Sequence, residues 1–191
     1  MRILSIVLLM VVVFTYTYCN ALPPKVDPNL EQVLTYEEAG ISFTYPGNWK
    51  IASASHHGST SMVNLSAGID GHIILSVVPG GAATTLEVWS RAFLEKGEER
   101  PGIPQSWGEI RSPQQQVGRF ERLGLESFSD QTSPDFSAYL QLYRLVVGED
   151  LIILNTSCQE DDLERMQPGF DLVLDSVEWS AKPLLDAEIR R

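Results

Sequence analysis

Cysteine, histidine and positive charge are all scarce in this chain. Its 191 residues contain two cysteines and three histidines. Cys19 lies at the end of an N-terminal apolar segment, so cleavage of that segment leaves Cys158 alone and excludes an internal disulfide. A lone cysteine in an apolar run reads as a small core residue rather than a nucleophile. A metal centre needs three or four converging ligands. His56 and His57 are adjacent, so on a strand their rings face opposite sides, and only His72 remains. The expectation is therefore no metal and no cofactor. Basic residues number 14 against 25 acidic ones, and residues 149–191 alone hold eleven acidic and four basic side chains. A field of that sign repels phosphate backbones and anionic lipid, which argues against nucleic acid as a partner.

Catalytic motifs are missing as well. There is no G-x-S-x-G elbow, and "PGGAATT" (79–85) lacks the lysine of a phosphate-binding loop. "EDDLE" (160–164) does not have the spacing of a calcium loop, and its charge suits a helix N-terminus. The asparagine triplets at Asn64 and Asn155 fall within expected strands, where a glycosylation reading is poor.

The chain opens with a segment that stands apart from the rest. Arg2 is followed by an apolar run from Ile3 to Phe14, broken only by Ser5, and then by "TYTYCNA". This is the layout of a secretory signal, and it is shorter than the roughly 20 residues of a membrane span. Residues 1–21 are read as a signal peptide cut after Ala21, and the protein as exported to the periplasm or beyond the cell. A rival reading makes Cys19 a lipidated first residue and so the one route to membrane contact. Against it, Tyr18 and Tyr16 stand where such signals carry small and aliphatic residues.

Residues 22–32 form a spacer, 33–180 one domain, and 181–191 a tail. Ile41, Phe43 and Tyr45 alternate with Ser42 and Thr44, which predicts a strand. Pro46-Gly47-Asn48 predicts a tight turn into a second strand that brings Trp49 back beside the first strand's apolar face. "TSMVNLSAG" and "HIILSVVP" predict a hairpin, with 73–78 as a central strand covered on both sides. Thr84 with Glu87 predicts a capping box for a helix whose apolar face is Leu86, Trp89 and Phe93 and whose stop is Gly97. "QQVGRFERLGLESF" predicts two strands joined near Leu123-Gly124, and residues 137–158 a hairpin turning at Gly148. Leu163, Met166, Phe170 and Val173 share a helical face, with a break expected at Pro168. The sum is an α+β fold, an antiparallel sheet sandwiched between helices on opposite faces.

The stretches "GISFTYPGNWK", "TTLEVWSRAFLEKG" and "LIILNTSC…FDLVLDSVEW" resemble the PsbP-like family over roughly residues 36–180. That family contains the extrinsic photosystem II protein, secreted bacterial proteins of unknown role, and a Ran-binding nuclear import factor of similar fold. The resemblance implies an α/β/α sandwich and a role in binding or assembly rather than catalysis. Trp107 in "GEERPGIPQSWGE" and Phe136 in "SDQTSPDFS" sit in turn-rich loops and are the expected contacts for a protein partner. The alternative is a small exported hydrolase or metal-dependent enzyme that uses His56, His57, Ser59 or His72.

Overall fold

The computed structural model describes residues 25–57, 60–68, 71–91, 110–126 and 138–180. Residues 1–24 and 181–191, which hold the expected leader and tail, and Ser59, Asp70, Phe93, Gly97, Trp107 and Phe136 lie outside the described residues. The strands are β1 (Val33–Glu38), β2 (Ile41–Pro46), β3 (Lys50–His57), β4 (Thr60–Ser66) and β5 (Gly71–Val78). A helix, α1, is described over 86–91. Then come β6 (Ile110–Val117), β7 (Phe120–Glu126), β8 (Ala138–Val147), β9 (Asp150–Gln159), a 3-10 turn (Glu160–Asp162), helix α2 (Leu163–Ser176) and β10 (Glu178–Trp179).

These strands form two antiparallel sheets. Seven pair in the order β3-β4-β5-β9-β8-β7-β6, and a smaller sheet has the order β1-β2-β10. On one face of the large sheet, alternate residues Val63, Leu65, Ile73, Leu75, Val77, Ile152 and Leu154 join one buried cluster. Met166, Phe170 and Val173 of α2 and Ile41 and Phe43 of β2 complete it. The 3.6-residue period of α2 and the two-residue period of the strands thus meet in a single core. On the other face Leu123, Leu140, Leu142, Leu151 and Ile153 bury with Leu86 of α1. The main helix therefore covers one face; of the expected layer on the other, the described residues contain only the opening of α1.

Several expectations need correction. Pro46-Gly47 does make a tight turn, with the Trp49 N–H donating to the Pro46 carbonyl at 2.9 Å. It does not fold β2 back on itself: β2 pairs with β1 and β10, while β3 pairs with β4, so the turn passes the chain from one sheet to the other. The β6–β7 junction is Gly118-Arg119, where Gly118 has φ 57°. Gly124 lies mid-strand opposite Gln141, beside a register shift in β6, as glycines within strands often do. β5 is a central strand, between β4 and β9, but its two sides are unequally covered. One is fully buried, and the other runs from exposed His72 through half-buried Ile74 and Ser76 to Val78, which packs on the second cluster. The cap of α1 is Thr85, whose Oγ1 accepts the Val88 N–H at 3.3 Å, so the Thr84–Glu87 box does not form. Helix α2 runs unbroken through Pro168, whose exposed ring leaves the buried stripe on the opposite side intact.

Two long-range ties close the fold. The Trp179 indole N–H donates to Asp150 Oδ2 at 2.8 Å, and the Gly80 N–H donates to Asp150 Oδ1 at 3.1 Å. Arg119 donates to the Val177 and Leu174 carbonyls at the C-terminal end of α2, where a cation complements the helix dipole.

Candidate functional site

Strand pairing places His56 directly opposite Ser61. Ser61 shares its side of β4 with Val63 and Leu65 and is buried at 7% exposure. Its Oγ and His56 Nδ1 are 3.0 Å apart, and His56 Nε2 lies 3.7 Å from Glu38 Oε1. The Tyr36 hydroxyl donates to Glu38 Oε2 at 3.0 Å, and the Tyr36 ring stacks on Phe43 with centroids 5.1 Å apart. Burial, then the hydrogen bond to Glu38, push the Tyr36 phenol up to about 12. Hydroxyl, imidazole, carboxylate and phenol thus form a line that ties the small sheet to β3 and β4. Chemically it provides a nucleophile beside a base beside an acid.

Ser61, Glu38 and Tyr36 were not among the residues singled out from the sequence. The available signal was the hairpin register: pairing His57 with Thr60, as a two-residue connection requires, sets His56 against Ser61. Glu38 arrives from the separate β1–β2 unit, which no local pattern places there. His72 is not part of this line. It alternates with Gly71 and Ile73, which face the core, so it stands on the opposite face of the sheet from His56. His57 belongs to β3, and its side chain lies outside the described set. Among the described residues, no three of His, Cys, Asp and Glu gather into a metal-sized cluster.

A second charged centre is structural. Asp162 opens α2 with its side chain turned inward, 3% exposed, unlike its exposed neighbours Glu160 and Asp161. Lys25 Nζ donates to Oδ1 at 2.9 Å, Arg165 Nε at 3.3 Å, and Arg165 also donates to the Val26 carbonyl at 2.6 Å. Burial alone raises the Asp162 carboxyl, but Lys25 and Arg165 together outweigh it and hold the group below the usual range. The acidic run thus does more than match a helix dipole, since one of its members anchors residues 25–26 to α2. Nearby Cys158 is a free, buried thiol pushed up to about 11, by burial first and by Asp162 second.

Neither a family model nor a curated protein sequence matches the chain. Among solved structures it is similar to cyanobacterial PsbP from Synechocystis, 14% identical, covering 84% of this chain and 99% of that one with a TM-score of 0.52. The Ran-binding protein Mog1p of Saccharomyces cerevisiae aligns at 9% identity over 78% of this chain and 94% of its own, TM-score 0.48. LpqN of Mycobacterium tuberculosis, involved in cell envelope biogenesis, aligns at 15% identity over 76% and 89%, TM-score 0.42. At such identities the likeness is one of architecture: the chain has the PsbP-like α+β fold, a large antiparallel sheet with one main helix.

Proposed function

We propose that the protein is an exported, non-catalytic binding or assembly accessory protein of the cell envelope, cut from its leader after Ala21 and acting on another protein. One observation supports the non-catalytic part: Ser61, the hydroxyl beside His56, is buried at 7% exposure in a strand paired on both sides, and His72 stands on the opposite face of the sheet, too far round to share a metal with His56. The remaining described ionic side chains with buried partners hold the fold together, as Asp162, Arg119 and Arg144 do. The reading includes a helical layer begun by α1 on the second face, and the loop residues Trp107 and Phe136 as contacts. A pull-down of the exported protein from its own cells, beside a Trp107→Ala, Phe136→Ala double variant, tests it. A specific partner lost in the variant supports the loop surface. Mass spectrometry of the mature N-terminus tests export: Leu22 is expected, a lipidated Cys19 transfers the protein to the membrane, and an intact Met1 removes export.

The hydrolase reading has one observation in its favour, the Ser61–His56–Glu38 line. Against it, Ser61 is buried, and its strand is hydrogen-bonded on both sides within the sheet. Labelling by a fluorophosphonate probe decides between them. Modification of Ser61 that disappears in His56→Gln replaces the binding role with acyl transfer.

A further inference from the structure

Among the described residues the two sheets end in four edge strands, and three of them carry features that discourage pairing with another chain. β3 has a register shift between Ile51 and Ser53 and starts with Lys50. β6 contains Pro113 and two register shifts. β10 is two residues long. These are the usual protections of a sheet edge: bulges, lysine, proline and brevity. β1 has no bulge, lysine or proline and is six residues long, and the only charges it carries, Glu37 and Glu38, are acidic. It pairs with β2 in unbroken register over six residues, and it exposes Val33 at 49% and Leu34 at 37%.

Among the described residues no strand pairs with β1 on the side away from β2, and its backbone offers partners there. The Thr44 N–H donates to Ser176 Oγ at 2.9 Å, and the Thr44 carbonyl lies 3.3 Å from the same oxygen, whose proton goes to the Leu172 carbonyl at 2.7 Å, so the peptide groups of Thr44 point away from β1. Its partner Thr35 therefore belongs to a non-hydrogen-bonded pair, and its own N–H and C=O point outward. By alternation those of Val33 and Glu37 do the same. Glu31, Glu37 and Glu38 are exposed along this edge. The one cation in residues 25–46, Lys25, is bound to Asp162.

We infer that β1 is a docking edge, to which an extended segment of another protein adds as a further strand, its apolar side chains bracketed by lysine or arginine. The inference rests on the binding reading above and names its surface and partner class. Outward peptide groups supply the ladder, Val33 and Leu34 supply apolar area, and the glutamates select a basic segment. A second copy of the chain fits poorly. Antiparallel pairing of β1 with itself about Thr35 sets Val33 against Glu37 on both sides and brings acidic strands together without a cation.

The test uses a fluorescein-labelled synthetic peptide, Lys-Val-Thr-Val-Thr-Val-Lys-Lys, with the intact protein. Saturable binding is expected, at least tenfold weaker in Thr35→Pro, which removes an outward N–H while leaving the β1–β2 ladder bonds in place. Binding several-fold weaker in Glu37→Lys is also expected, as is failure of the same peptide with glutamate in place of each lysine. Urea midpoints of both variants are measured, so that a folding defect is not read as lost binding; Glu37→Lys, on an exposed side chain, carries the test if Thr35→Pro does not fold. No binding, equal binding of the acidic peptide, or unchanged binding in folded variants overturns the proposal. If a pull-down partner is retained equally by native protein and folded Thr35→Pro, the edge is wrong and the binding role stands. If native protein retains none, the binding role itself falls.

Discussion

The indole of Trp49 lies against the backbone of Gly169: a Cβ placed on that glycine would sit 2.5 Å from the indole Cζ2 and 2.6 Å from Cη2. Trp49 is 3% exposed and meets Phe170 edge-on at 5.7 Å between centroids. In an ordinary helix interior, Gly→Ala gains about 1 kcal/mol. Here the methyl group enters an occupied volume, and overpacking costs about 1 to 3 kcal/mol. Gly169→Ala is expected to lower stability in urea. Trp49→Ala is expected to cost about 3 to 5 kcal/mol. In the double variant the cost of Gly169→Ala disappears, which a double-mutant cycle measures directly. Additive losses would show that the glycine serves something other than the indole.

Asp162 links pH to stability. Its carboxyl is held below the unfolded value of about 3.9, so its contribution is present above that value and is lost as pH falls through the folded value. Asp162→Asn should cost about 1 to 3 kcal/mol near neutrality, since Lys25 and Arg165 lose their carboxylate. The gap between native and variant should shrink as urea titrations move from about pH 6 to about pH 3. A gap that is constant across that range would remove the ion pair as its cause.

The Cys158 thiol, at about 11 and 5% exposed, is expected to be inert in the folded protein. At about pH 8 ionisation alone slows its reaction with a disulfide reagent by on the order of a hundredfold relative to an ordinary thiol, and burial adds to this. Peptide mapping after timed labelling, with and without urea, follows this site separately from Cys19. Rapid labelling of the native peptide would mean that the β9–α2 junction opens readily.

Arg144 clips the loop before α1 to the sheet. Its Nε donates to the Thr84 carbonyl at 2.8 Å, Nη2 to the Ala82 carbonyl at 2.5 Å, and Nη1 to Glu121 at 2.9 Å. Lysine keeps the charge but cannot make this fork. Arg144→Lys is expected to cost about 1 to 2 kcal/mol and to speed amide exchange across residues 82–88. Unchanged exchange there would mean that Leu86 burial and the Ala82 N–H bond to the Glu149 carbonyl hold the loop without Arg144.

Much of this protein was determined locally, by its sequence. Gly148 with Asp150 fixed the β8–β9 turn, and the alternation of Val63, Leu65, Ile73 and Leu75 marked one face of a hairpin. The spacing of Met166, Phe170 and Val173 marked the face of α2, and Trp49 with its apolar neighbours announced a core position. Periodicity records which side of a segment is apolar, and turn chemistry records where the chain bends. Neither records which distant segment covers that side. Pro46-Gly47 bends identically whether the next strand returns or leaves for another sheet, so the choice fell to packing: β2 is flanked by β1 and, across more than a hundred residues, by β10. Pro168 removes one helix donor, yet the burial of Met166 and Phe170 on either side outweighs that loss. The approach of Glu38 to His56 needed the β1–β2 unit to come to rest beside the β3–β4 hairpin. Backbone donors and acceptors are alike in every strand, so the order of strands, and with it the open edge of β1, was decided only by the arrangement that buried the most apolar surface at once.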